Sequence, residues 1–232
     1  TAAAAPLKLT TAASISKDNA ALPRIAGATT PGAVKVNAAL ARLDARWRAF
    51  VKDCRAEAGA NAYTTRSVEV TMASDKVLAM VVASEGDCGG AHPNADEMGL
   101  AYDVATGRPL DWTKLLPKAM VREATTDSDM DGTVVGAVVS PALHALYLKS
   151  VNADFGHDAS WKSDCGEVLE NEDLAFQLWP DAKKDAVVIA PFDLPHVVAA
   201  CADDVAIPTA TLRRMGVNAA LLDAIDAAHA GH

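Results

Sequence analysis

The sequence predicts an α+β fold, an antiparallel sheet with a long N-terminal helix and a second helix packed on it. Three observations lead to this prediction. Apolar residues recur every three or four positions over residues 33–58, which predicts one long amphipathic helix. Strand-like runs follow at 66–74 and 76–86. Two apolar runs separated by the polar turn "PDAKKD" span residues 173–194, which predicts a β-hairpin.

The N-terminal part is predicted to hold a tail, a strand and the long helix. Residues 1–20 are expected to form the tail and first strand, and residues 22–27 an extended segment that ends at Gly27. The turn "TTPG" precedes the helix and Gly59 follows it. One helix face is apolar and the other is expected to be mostly solvated. The apolar face holds Val36, Leu40, Leu43, Trp47, Phe50 or Val51, and Cys54, and the solvated face Arg42, Asp44, Arg46, Arg48 and Lys52.

A β-rich block follows the long helix. The run 76–86 is almost continuously apolar, which predicts a strand buried on both faces. Another strand is expected to end at Val104, before the turn "TGRP", where glycine allows a backbone conformation that other residues rarely adopt. The stretch "SEGDCGGAHPNAD" (84–96) is then the loop of an antiparallel meander.

The C-terminal half alternates helix and strand. Residues 138–156 predict the second helix, with Ser140 as its cap and Pro141 in its first turn. One more short strand is expected within 203–216. We therefore predict a single α+β domain over residues 21–216, followed by a C-terminal helix within 217–232.

Composition and charge restrict the classes of function. The chain has 232 residues and a formal net charge of −9. It contains no block rich in lysine and arginine, so a nucleic-acid partner is not expected. No run approaches the ~20 apolar residues of a membrane span. An acidic surface favours a basic partner, although it is also typical of a protein that is simply soluble.

Four cysteines, Cys54, Cys88, Cys165 and Cys201, are widely spaced and form no CxxC pair, which argues against a zinc site. They favour two disulfides in an oxidising compartment, with three pairings open. Four free thiols in a cytosolic protein are the alternative. The opening "TAAAAPLKLTTAAS" is typical of an exported protein after removal of its leader. A periplasmic or extracellular location is expected, and lipid anchoring through a removed N-terminal segment stays open.

Two polar stretches are candidate sites. In the loop, His92 has acidic neighbours and Ser84 nearby, but no catalytic motif frames them. The sequence therefore leaves three roles open for this loop: a structural role, contact with a partner, and catalysis. "DSDMDG" places Asp127, Asp129 and Asp131 as in the start of a calcium loop, but Val138 stands where a bidentate glutamate belongs. Calcium is the one cofactor that the sequence raises, and a solvated acidic turn is the alternative.

Three groups of residues follow a known family pattern in order and spacing. They are Gly89–Gly90–Ala91–His92, Tyr102–Asp103 with Thr106–Gly107, and Pro191–Phe192 through Ile207–Pro208. In these groups, over about residues 20 to 213, the chain resembles the bacterial extracytoplasmic domain found in RsiV-type anti-sigma factors and before some peptidoglycan deacetylase domains. Two departures stand out: Cys201 replaces the late glycine of the family, and Cys88 is added to its loop. Because both changes fall at positions of the pattern, the resemblance implies a Cys88–Cys201 disulfide, leaving Cys54 with Cys165.

The resemblance also implies recognition, because the anti-sigma relative binds lysozyme through this domain. We therefore expect a non-enzymatic cell-envelope protein that inhibits or senses a lysozyme-like, basic peptidoglycan hydrolase. The expected contact residues are Gly89, Gly90, His92, Pro93, Asn94, Phe192 and His196. A glycan-binding module is one alternative, for which Trp161 in a polar run would be a suitable anchor. A hydrolase that uses His92 is the other.

Overall fold

A computed structural model describes residues 6–90, 92–126, 136–154, 159–192, 194 and 196–231. The strands are β1 (Leu9–Thr10), β2 (Arg24–Ile25), β3 (Tyr63–Ala73), β4 (Val77–Asp87), β5 (Asn94–Asp103), β6 (Glu123–Thr126), β7 (Gly136–Val139), β8 (Ala175–Asp181), β9 (Ala186–Pro191) and β10 (Val205–Pro208). The α-helices are α1 (Pro31–Ala58), α2 (Trp112–Leu115), α3 (Pro141–Asp154), α4 (Ala159–Leu169), α5 (Thr209–Arg214) and α6 (Ala219–His229). A 3-10 helix spans His196–Cys201.

The predicted α+β class is confirmed. β3, β4 and β5 form an antiparallel meander, and a five-stranded antiparallel sheet has the order β10-β9-β8-β7-β6. Two details of the prediction are wrong. Residues 138 and 139 belong to β7, so the second helix begins at Pro141, where the Ser140 hydroxyl accepts a hydrogen bond from the Leu143 N–H. Helix α4 occupies a stretch for which the sequence predicted no element.

Helix α1 packs on one face of the three-stranded sheet. Its residues Val36 and Leu40 are fully buried against Leu78 and Met80 of β4. The even-numbered residues of β4 and β5 therefore face α1, and the odd-numbered residues face the opposite side, since side chains alternate along a strand. We call that opposite side the inner face of the sheet.

Asp44 is buried in α1, so its predicted place on the solvated face is wrong. Its side chain has no exposed surface, forms ion pairs with Arg24 and Arg66, and accepts the Leu22 N–H at 3.1 Å. These partners come from other segments and compensate the cost of burying the carboxylate.

The N-terminus of α1 lies on the turn after β5. A Cβ atom on Gly32 would be 2.2 Å from the Val104 carbonyl oxygen, so only glycine fits there. In the turn, the Asp103 carboxylate accepts hydrogen bonds from the N–H and the hydroxyl of Thr106, and Gly107 has a φ of +71°. Turn geometry thus accounts for Asp103, Thr106 and Gly107 of the pattern.

The two sheets pack against each other through Trp179 of β8, which lies over Gly99 of β5. A Cβ on Gly99 would be 2.3 Å from the indole ring, so the glycine allows the close approach. On the other face of the five-stranded sheet, Phe176 packs with Tyr147 of α3, in a core cluster that also contains residues of α6. The C-terminal helix thus shares the main core of the domain.

The structure contains two disulfides, as expected, but the implied pairing Cys88–Cys201 and Cys54–Cys165 is wrong. Cys54 pairs with Cys88, and Cys165 pairs with Cys201. The physical reason is the position of the helices. The C-terminal end of α1 lies beside the tip of the β4–β5 hairpin, and α4 lies beside the 3-10 helix His196–Cys201.

Candidate functional site

A cleft of about 970 Å³ lies between the inner face of the three-stranded sheet and the segment that follows β9. The sheet side of the lining includes Thr65, Arg66, Ser67, Ala83, Ser84, Glu85, Asn94, Ala95, Asp96 and Glu97. The opposite side is Gln177, Ala190, Pro191, Phe192, Leu194, Ala199, Ala202, Asp203 and Asp204. The cleft is large enough to receive a chain segment or a small ligand.

The lining of this cleft is strongly acidic. Six acidic residues contribute to it: Asp18, Glu85, Asp96, Glu97, Asp203 and Asp204. The cation in the lining is Arg66, whose guanidinium is already ion-paired with the buried Asp44. The field in the cleft is therefore negative and favours a cationic group.

Glu97 and Asp204 share a hydrogen bond between their carboxyl groups, which lie on the two sides of the cleft. Burial, followed by the effect of the Asp204 charge, raises the pKa of Glu97 to about 7. The pKa of Asp204 is also raised, chiefly by burial. Lys184 partly opposes both shifts because its charge favours the carboxylates. The pair can therefore hold a shared proton near neutral pH.

Gln177 of β8 closes the inner end of the cleft by bonding to the backbone of β5. Its side-chain oxygen accepts the Gly99 N–H at 3.0 Å, and its side-chain nitrogen donates to the Glu97 carbonyl at 2.9 Å. A single amide side chain thus imitates the backbone of a neighbouring strand.

The predicted loop is the tip of the β4–β5 hairpin, in which Gly86 pairs with Asn94. The Cys54–Cys88 disulfide fixes the tip to α1. Gly89 has a φ of +84°, and its N–H donates to the Asp87 carboxylate at 2.9 Å. Gly90, His92, Pro93 and Asn94 are exposed. The tip is therefore restrained at its base and accessible to a partner.

The structure brings some predicted contact residues together and leaves others outside its description. Asn94 and Phe192 line the cleft together. His92 lies at the exposed tip, and His196 begins the 3-10 helix that follows β9. The candidate calcium residues Asp127, Asp129 and Asp131 lie outside the described residues, as does Ala91. Trp161 lies in α4.

Sequence reasoning missed Gln177 and the Glu97–Asp204 pair. Glu97 is about a hundred positions from Asp204 along the chain, and no local pattern links the two. The raised pKa depends on the desolvation that the fold creates.

A second, apolar pocket of about 280 Å³ lies on the α1 face of the same sheet. Trp47 and Phe50 of α1 line it with Met98 and Leu100 of β5. The two aromatic rings have centroids 4.8 Å apart, and Phe50 is 42% exposed. Trp47 also donates from Nε1 to the Asn19 side chain at 2.7 Å. The pocket adds an apolar surface to the edge of β5 that also borders the acidic cleft.

In the described part of the chain, no three His, Cys, Asp or Glu side chains are grouped so that they could hold a metal ion. Among the described helices, none has the length and apolar character that crossing a membrane requires. The two disulfides are typical of proteins outside the cytoplasm.

No protein-family model matches the chain, and no curated protein matches it. Solved structures to which it is similar include two proteins of the DUF3298 family. One is from Pseudomonas aeruginosa PAO1, with 16% identity and a TM-score of 0.42 over 71% of this chain and 66% of the other. The second is from Bacteroides fragilis NCTC 9343, with 17% identity and a TM-score of 0.48 over 86% of this chain and 74% of the other. At such identities a likeness does not carry a function from one protein to another.

Proposed function

We propose that this chain is a non-enzymatic extracytoplasmic domain that recognises a lysozyme-like peptidoglycan hydrolase and inhibits or senses it. The observation that carries the proposal is the exposed, disulfide-fixed hairpin tip beside an acidic cleft. The resemblance to the RsiV-type domain supports it, and the two disulfides agree with an envelope location. A lipid anchor on a removed N-terminal segment would place the domain at the membrane surface.

The tip has the physical properties of an inhibitory loop. The disulfide to α1 and the Gly89 turn restrain its base before a partner arrives. Such preorganisation reduces the conformational entropy that is lost on binding. A narrow exposed tip such as His92–Pro93 fits a concave surface such as a sugar-binding cleft, and occupying that cleft would block the substrate.

The charge of the cleft supports a basic partner. Its carboxylates are concentrated on one side of the domain, next to the tip. Complementary charge raises the rate of association and orients the partner before contact. The inhibition should therefore weaken as the salt concentration rises.

A lysis assay tests the proposal. Purified peptidoglycan is mixed with each of a panel of basic lysozyme-type hydrolases, and clearing is followed as this protein is added. The wild type is expected to stop one enzyme stoichiometrically, and the double variant His92→Ala, Pro93→Ala to need at least about tenfold more protein. Arg108→Ala, an exposed change in the turn at the opposite end of β5, is the matched control. If no enzyme is bound or slowed, the proposal is wrong.

A glycan-binding module is the second candidate, and the Trp47–Phe50 pocket is the observation that favours it. Aromatic side chains at the mouth of an apolar pocket are suited to the faces of sugar rings. Binding of soluble muropeptides by the chain alone, lost in Phe50→Ala, would support this candidate. Peptidoglycan turnover by the chain alone, lost in His92→Ala, would instead indicate the hydrolase alternative.

A further inference from the structure

The edge of β5 is closed along most of its length and open at one end. In an antiparallel pair, the N–H and C=O groups of alternate residues point away from the partner strand, and contacts with other segments show that in β5 these are the odd-numbered residues. In these contacts, Gln177 bonds Glu97 and Gly99, the Leu110 N–H donates to the Ala101 carbonyl, and the Asp103 N–H donates to the Arg108 carbonyl.

At residues 95–97, three backbone groups of this edge have no such partner. They are the N–H and C=O of Ala95 and the N–H of Glu97, for which the described residues offer no hydrogen bond. Asn94, Ala95 and Asp96 are all exposed. An exposed row of unpaired backbone groups is a template for a further strand.

The two faces of this open edge differ in chemistry. On the inner face, Glu85 and Glu97 line the acidic cleft. On the α1 face, Met98 lies in the apolar pocket with Trp47 and Phe50. A strand added here would direct alternate side chains to the two faces. It would therefore place cationic side chains in the cleft and apolar side chains in the pocket.

We propose that β5 binds an extended segment of a partner protein as an added strand along residues 94–97, and that this segment alternates cationic and apolar residues. The inference rests on the proposed function only for the identity of the partner. Gln177 marks the end of the open edge, since it already occupies the positions that the next residues of the segment would need.

The peptide test uses eight-residue acetylated and amidated peptides with a fluorescent label, and fluorescence anisotropy as the readout. A peptide that alternates lysine and valine is expected to bind at least about tenfold more tightly than one of the same composition in the order Lys-Lys-Val-Val. N-methylation of alternate backbone amides removes donors in one register. N-methylation of the amides that would bond to β5 should lower affinity about tenfold, and N-methylation of the other set should change it little. Equal affinities for the two sequences, or equal effects in both registers, would show charge attraction alone and overturn the proposal.

Variants of the protein give an independent test. Ala95→Pro removes an outward N–H without removing a donor to β4, and it is expected to lower peptide affinity about tenfold. Ala95→Ser keeps the N–H and is expected to keep the wild-type affinity. Glu97→Gln should weaken binding of the alternating peptide, whereas Glu69→Gln, an exposed change in the same sheet, should not. The thermal unfolding midpoint is measured for each variant. If Ala95→Pro unfolds the protein, the N-methylated peptides on the wild type decide.

The same variant separates this inference from the proposed function. A folded Ala95→Pro protein that no longer inhibits the hydrolase supports strand addition by that partner. If it inhibits as well as wild type, strand addition is wrong and the proposed function stands. If the wild type inhibits no hydrolase but binds peptides with the register dependence described, the proposed function is wrong and the strand site stands.

Discussion

Replacement of Glu97 by glutamine should change how the stability of the protein depends on pH. Burial raises the pKa of Glu97 from 4.5 to about 7 in the folded protein. The folded state therefore binds more protons than the unfolded state between these two values, and stability falls as pH rises. The Glu97 contribution is fully present below pH ~4.5 and is lost as pH rises through about 7. At about 1.36 kcal/mol per pH unit, the difference sets an upper limit of about 3 kcal/mol, which solvent screening of the half-buried carboxyl reduces.

Glutamine keeps a hydrogen-bond donor for Asp204 but cannot ionise. The variant should match the wild type near pH 4 and be more stable near pH 8 by about 2–3 kcal/mol, the upper limit being set by the pKa difference. Urea unfolding from pH 4 to pH 8 measures this difference, because titrating groups other than the coupled Asp204 affect both proteins alike. Glu69→Gln, whose carboxylate is exposed and paired with Lys183, is the control and should show no such trend. A difference between wild type and Glu97→Gln that is the same at pH 5 and pH 8 would refute the reasoning.

Two further predictions concern the packing that forms the site. Asp44→Asn should cost about 3–5 kcal/mol in urea unfolding, because it leaves the nearly buried Arg66 guanidinium without its carboxylate. Asp53→Asn on the exposed face of the same helix should cost under about 0.5 kcal/mol, and equal losses in the two variants would contradict the account. Gly99→Ala should cost about 1–3 kcal/mol, because its methyl group would meet the Trp179 ring at 2.3 Å. Gly166→Ala is the control, because a Cβ there would contact nothing within 4 Å, and it should be neutral or stabilising in the same measurement. A Gly99→Ala protein as stable as wild type would contradict the account, because it would show that the two sheets can separate at no cost.

Local patterns were sufficient for the elements that depend on local rules. The apolar repeat of residues 33–58 predicted α1, because burial of Val36, Leu40 and Leu43 follows directly from helical geometry. The β8–β9 hairpin and the β4–β5 pair were also predicted from local patterns, since two apolar runs separated by turn residues have few ways to pair other than as an antiparallel hairpin. The prediction that the 84–96 stretch holds the loop of an antiparallel meander was confirmed, but the loop is shorter than expected, because β4 extends to Asp87 and β5 begins at Asn94.

Long-range partners were beyond the reach of the sequence. The helical repeat predicts that Asp44 is solvated, and only the approach of Arg24 and Arg66 makes its burial favourable. The disulfide pairing inferred from the resemblance was wrong, because pairing depends on which elements become neighbours in space rather than on which positions depart from a pattern.

By itself, the sequence determined the long helix α1, the β3–β4–β5 meander, the β8–β9 hairpin, the acidic balance and the place of the glycine-rich loop, since each follows from residue type and spacing along the chain. The tertiary structure alone decided that Glu97 meets Asp204 across a cleft, that Gln177 covers part of the β5 edge, and that Ala95 leaves the rest open. The physical reason is that desolvation, hydrogen-bond satisfaction and strand edges are properties of packed neighbours. Such neighbours are defined only when the two sheets come together at Gly99 and Trp179.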